Sequence, residues 1–185
     1  MIDLTKKILP CAIEVHGKTY AIYTDFQYFV NFSKMITENH SVLDYDFLYK
    51  DKKPLDRMAG FHALASFAFQ KSELPKDSGE TCDEIILSYE KDADYIYSAF
   101  YHYYKIDLLD ETLSLHWYKF LALLNGLKET KLNDIMGFRS YKPKATDGKE
   151  YKNQMNRLKE LWRIEPPLTD EEQSALDKFE KLNGN

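Results

Sequence analysis

The chain has 185 residues, of which 44% are hydrophobic and 30% charged, and it carries a formal net charge of −5 at pH 7. These fractions belong to a globular chain long enough to bury a sizeable core, and an aromatic share of 15% argues against disorder over most of its length. The negative balance removes attraction to nucleic-acid backbones or anionic lipid as a property of the whole chain.

The opening residues MIDLTKKILP hold no continuous apolar stretch that could serve as a signal-peptide core. No uncharged apolar run reaches the roughly 20 residues a membrane crossing requires. Cys11 and Cys82 stand in no Cys-x-x-Cys pattern and are too few for a disulfide framework, so both are read as packed thiols. A soluble cytoplasmic chain without a membrane span is expected.

Residues 12–23 read as a β-hairpin turning at Gly17-Lys18, with Val15 opposite Tyr20 and Ile13 opposite Ile22 on one apolar face. Thr24 or Asp25 caps a helix that carries Phe26, Phe29, Phe32, Met35 and Ile36 at helical spacing and ends near Asn39. A short helix after Ser41 stops before Pro54, and Leu55 to Gln70 then forms a central apolar helix containing Gly60. Ser72 to Asp83 has turn composition throughout and is expected to be a surface loop. Asp92 caps a helix from Ala93 to Tyr104, a second helix runs from about Glu111 to Asn125 with Gly126 as its stop, and a short one ends at Gly137. Tyr151, Met155, Leu158 and Trp162 form one stripe of a helix closed by Pro166-Pro167. Beyond it, Thr169 and Glu172 make a capping box for a narrow-faced C-terminal helix. The expected fold is therefore mainly α: a helical bundle over residues 1–165 with an N-terminal β-hairpin at 12–23, and a C-terminal helical arm over 166–185.

No phosphate-binding glycine loop, metalloprotease helix or nucleophile elbow occurs, so no catalytic residue, metal site or cofactor is assigned. His116, near Asp107, Asp110 and Glu111, is the best acid/base candidate, but a His on a Trp/Phe/Leu face is more often a hydrogen-bonded core residue. Asp92 is accounted for by capping and Asp94 by the helix dipole, while Asp107 and Asp110 suit the turn between helices. From Arg139 to Arg163 the charge is locally basic, and with Tyr141, Tyr151 and Trp162 it forms the only stripe suited to nucleic acid. The helix at 93–104 carries aromatics on both sides: Ile96, Tyr97, Phe100, Tyr103 and Tyr104 on one broad face, Tyr95 and Tyr101 on the other. An element apolar all round is either central or covered by another chain, so Tyr95, Tyr101, Tyr118 and Arg139 are the partner-contact candidates.

The run DADYIYSAFYHYYKIDLLDETLSLHWYKFLALLNGL, followed by IMGFRS, resembles the bacteriophage gene-product-fifteen family of Gram-positive siphophage tail modules. The likeness is densest from Asp92 to Ser140, and it extends more weakly over MIDLTKK, the hairpin and Thr24-Asp25-Phe26. Lys105 stands where Gly would be more typical before Ile-Asp-Leu. The resemblance implies a small non-catalytic tail assembly factor, chaperone-like, that binds the tape-measure protein in the host cytoplasm. Other tail proteins or a second copy of the chain are left open as partners, and a structural virion tail component is the alternative. The family supplies no catalytic residues.

Overall fold

The computed structural model describes residues 2–38, 40–69 and 85–165. The expected loop at 72–83, Cys82 and the C-terminal arm at 166–185 lie outside the described residues. Within them the order is β1 (Ala12–Val15), β2 (Lys18–Ala21), α1 (Phe26–Thr37), α2 (Arg57–Ala68), α3 (Ala93–Tyr104), α4 (Trp117–Gly126), α5 (Lys131–Arg139) and α6 (Lys149–Trp162). A 3-10 turn at Asp44–Leu48 stands where a short helix was expected after Ser41. The fold is mainly helical with an N-terminal hairpin, as the sequence implies.

The hairpin turns one residue earlier than expected. Ile13 pairs with Tyr20 and Val15 with Lys18, and the central residues are His16 at φ 51° and Gly17 at φ 73°. A type I′ turn needs positive φ at both central positions, and placing Gly second meets the steeper demand there. Moving the turn by one residue moves each cross-strand partner by two, so every side chain keeps its face. Ile13, Val15 and Ile22 are accordingly buried. Past the hairpin, Ile22 bridges to Tyr49, which lays the strand along the chain that leaves the 3-10 turn. Cys11, expected to be packed, is exposed at the start of the hairpin.

Asp25 caps α1 by accepting the Gln27 N–H at 3.2 Å, and Phe26, Phe29 and Phe32 point inward. α2 begins later than expected, because Asp56 caps it through the Ala59 N–H at 2.9 Å and leaves Leu55 outside the helix and exposed. Gly60 lets α2 press onto the preceding loop: a Cβ there would stand 2.6 Å from Pro54 Cγ and 2.7 Å from Tyr49 Oη. α2 packs on β1, α1 on α4, α3 on α4 and α5, and α5 on α6.

A ladder of stacked rings crosses four helices. Phe67 of α2 meets Phe29 of α1 at 5.2 Å, Phe29 meets Trp117 of α4 at 5.4 Å, Trp117 meets Phe120 at 5.6 Å, and Phe120 meets Phe100 of α3 at 5.1 Å. Each such pair adds about 0.5–1.5 kcal/mol beyond the area it buries. The core draws on α1 through α5 and on no residue of α6, which buries no side chain.

Two further helix ends differ from expectation. α4 starts at Trp117 rather than near Glu111, because Asp107 and Asp110 fold the preceding residues into turns by accepting the Leu109 and Thr112 N–H groups. α5 runs through Gly137 to Arg139, started by a capping box between Thr130 and Asn133.

Candidate functional site

Two stretches of the family-like sequence, Thr24-Asp25-Phe26 and Leu115-His116-Trp117, lie side by side. Trp117 N–H donates to Thr24 C=O at 2.7 Å, Phe26 N–H to Leu115 C=O at 2.9 Å, and Leu115 N–H to Asp25 Oδ2 at 2.9 Å. Asp25 thus caps α1 with one oxygen and holds the chain entering α4 with the other. His116 is the N-cap of α4: its Nδ1 accepts the Tyr118 N–H at 3.0 Å, and its Nε2 donates to the Pro10 carbonyl at 3.0 Å. Those two bonds select the neutral ring. Burial holds its pKa below the ordinary 6.5, against the pull of the Pro10 carbonyl, and the Lys119 charge lowers it further. Both nitrogens are committed to backbone, so the ring works as a fastener.

Asp92 occupies the N-cap position of α3, yet its side chain does not cap the helix. It is 1% exposed and forms a bidentate pair with Arg139, itself 6% exposed, at 2.6 Å and 2.9 Å. Asp92 also accepts the Ser88 N–H at 2.9 Å. The Arg139 guanidinium continues to the carbonyls of Ile86 at 3.0 Å and Trp162 at 2.6 Å. One side chain therefore ties α5 to the chain before α3 and to the end of α6. The capping role expected for Asp92 is corrected accordingly, because the nearby guanidinium is the stronger partner for a buried carboxylate. Arg139, a partner-contact candidate and the first residue of the basic stripe, faces inward and offers nothing to a phosphate or a second chain in this conformation.

The tyrosine candidates separate. Tyr118 is 5% exposed, stacked on Phe67 at 4.7 Å, and so is also turned inward. Tyr95 is half-buried with its ring edge-on to Trp162 of α6 at 5.8 Å. Tyr101 is 54% exposed and stacked on Tyr97 at 6.1 Å. Tyr103 and Leu109 are exposed beside it in sequence, although spacing alone put Tyr103 on the same face as Phe100.

A groove of about 900 Å³ opens between α1 and residues 85–91. Phe26, Val30, Ile36, Leu87, Tyr89 and Ile164 contribute its apolar lining. Lys34 on its rim pairs with Glu90 at 2.8 Å and with Glu38 at 3.7 Å. Sequence reasoning missed this groove because residues 85–88 adopt no regular structure, and their course is set by contacts such as that of Ile86 with Arg139, 53 positions along. The Lys34 spacing to Glu38 was legible; the pairing with Glu90 was not.

Among the described residues no helix is long and apolar enough to cross a membrane. No group of three or more His, Cys, Asp or Glu among them could hold a metal ion. Searches of curated proteins and of solved structures return no match. A family model described as Bacteriophage Gp15 protein matches residues 5–164, a span from before the hairpin to the buried Ile164 that takes in the junction at Asp25 and Leu115, the ion pair and the apolar lining of the groove. The chain belongs to the Bacteriophage Gp15 protein family.

Proposed function

We propose that this chain is a non-catalytic tail assembly factor that binds the tape-measure protein in the host cytoplasm and keeps it from aggregating until the tail tube encloses it. The observation that carries a binding role is the open apolar groove beside α1, together with aromatic side chains left exposed on α3. A long helical protein with an apolar stripe aggregates unless a partner covers that stripe, and a groove lined by Phe, Val, Ile and Leu suits such a stripe. Charged rims on both sides give the partner polar contacts without adding to the apolar area. The tape-measure assignment rests on the sequence resemblance over Asp92–Ser140 and on membership of a phage family.

Co-expression with the tape-measure protein of the same phage tests the reading. The two chains should co-purify, and the tape-measure protein should become soluble. If they do not co-purify and tape-measure solubility is unchanged, the proposal fails. Purified particles should lack the chain, and finding it there at stoichiometric amounts would make it a structural tail component instead.

A further inference from the structure

We propose that the face of α5 and α3 beneath α6 is an exchange site for an amphipathic helix of a partner, with α6 as its resident occupant. The proposal rests on the reading of the chain as a binding protein for a long helical partner, and it adds to the groove beside α1 a second surface with a stated helix chemistry.

α6 differs from the other helices in how it is held. Each of α1 to α5 buries at least three side chains, whereas α6 buries none along its 14 residues. It lies against α5 through half-buried Met155, Leu158 and Trp162. Ile164 just past its end is buried but stands outside the main core. A helix docked by half-buried contacts opens at lower free energy than the elements that share the core.

Two bonds that fasten its end do not depend on its sequence, and a third comes from its own Lys159 Nζ, which donates to the Tyr141 carbonyl at 3.1 Å. Arg139 Nε–H donates to the Trp162 carbonyl at 2.6 Å, and Lys91 Nζ donates to the Glu165 carbonyl at 3.2 Å. Trp162 is the last residue of α6, and a terminal helix carbonyl of any sequence can accept such a bond, whereas Glu165 lies in the chain just past the helix. When α6 leaves, Arg139 keeps both oxygens of Asp92 and the Ile86 carbonyl, so no buried charge is stranded. The ion pair therefore preserves the site in the open state.

The resident helix is also the template for its replacement. Its stripe of Tyr151, Met155, Leu158 and Trp162 repeats at i, i+4, i+7 and i+11, with Lys149, Glu150, Arg157 and Glu160 exposed on the rest of the helix. Trp162 sits with its ring 5.3 Å from Lys131 Nζ and edge-on to Tyr95. The partner helix is thus expected to carry apolar residues at that spacing and to end on an aromatic whose own carbonyl is free to accept from Arg139.

The test uses a fluorescein-labelled peptide of residues 149–163 as probe against the full chain and its Leu158→Ala variant. Because the resident helix competes, weakening it raises the fraction of open sites and tightens apparent binding. The variant should bind the peptide about tenfold more tightly than the parent, and a peptide carrying Leu158→Ala should bind neither chain measurably. Equal affinity for the two chains, or binding to neither, overturns the proposal. Hydrogen exchange on the unaltered chain supplies a second measurement that needs no variant. The amides of 152–162 should exchange at least tenfold faster than the interior amides of α1 and α4, and equal protection overturns the proposal. Neither measurement contains the tape-measure protein, so failure here leaves the co-expression result standing, and the reverse also holds.

Discussion

Arg139 donates four hydrogen bonds, two of them to Asp92, and a pair sealed this well is costly to break and cheap to replace. Removing one charge strands the other in a low-dielectric site, whereas removing both leaves an apolar gap that similar-sized side chains can fill. Asp92→Asn should therefore cost about 3–5 kcal/mol, and the double change Asp92→Leu with Arg139→Met should cost less than either single change. Urea unfolding of Asp92→Asn, of the double variant and of its two single changes measures this, and a cost under about 1 kcal/mol for Asp92→Asn would remove the pair from the list of fasteners. His116 makes a second residue-scale prediction, through pH. Its folded pKa lies below 6.5, chiefly because of burial, so in the window between the folded value and 6.5 the unfolded chain binds a proton that the folded chain refuses. Stability from this group is thus complete above 6.5 and falls as the pH drops through that window. Asn at this position can still accept the Tyr118 N–H as an N-cap but does not titrate. Between pH 7.5 and pH 5 the parent should lose more stability than His116→Asn, and equal losses would show that the ring does not resist protonation.

Among the elements, those whose signals are local were legible in the sequence. The observed bounds of α3 agree with the reading although Asp92 does not cap it, and the expected stripe of Tyr151, Met155, Leu158 and Trp162 falls within α6. The start of α4 was not legible, because the residues before it are drawn out of helix by Asp25, which lies 90 positions away, and by the turns at Asp107 and Asp110. Periodicity sees Leu113 and His116 as helical and cannot see that bond. The hairpin register failed for a smaller reason: His and Gly satisfy a type I′ turn as a pair, and the rule applied favoured Gly in first place. Lys105 is flagged only by the family resemblance, which would favour Gly there, and the backbone supplies the reason. It ends α3 in the left-handed conformation at φ 58°, where a Cβ is strained and Gly is not. Its Nζ donates an exposed bond to the His102 carbonyl at 3.0 Å. Lys105→Gly should therefore raise stability by about 0.5–1 kcal/mol without altering helix content, as read from thermal unfolding by circular dichroism. A loss of stability would mean that the lysine bond outweighs the backbone strain.

Over the whole molecule, the aromatic residues counted in the sequence find their role in the ladder that joins α1 to α4, and Trp117 is where its branches meet. Tyr89 abuts the same ring at 5.7 Å, which brings the lining of the groove into contact with the core. Trp117 Nε1–H donates to the Ala68 carbonyl at 3.0 Å, so the indole also satisfies the C-terminal end of α2. Phe in its place would keep the stack but leave that carbonyl without its donor and open a space the size of the missing ring. The unmet acceptor costs about 1–3 kcal/mol and the cavity adds to it, giving roughly 2–4 kcal/mol in total. For a chain of this length that is a fall of about 4–16 °C in Tm. The loss should appear as a single transition shifted as a whole, because Trp117 belongs to the core that α1 to α5 share. Leu158→Ala, which lies outside that core, should instead leave the main transition in place and change only the exchange of α6. Thermal scans followed by circular dichroism and by tyrosine fluorescence separate the two. If Trp117→Phe unfolded in two steps, the core would be divided where the ladder joins it.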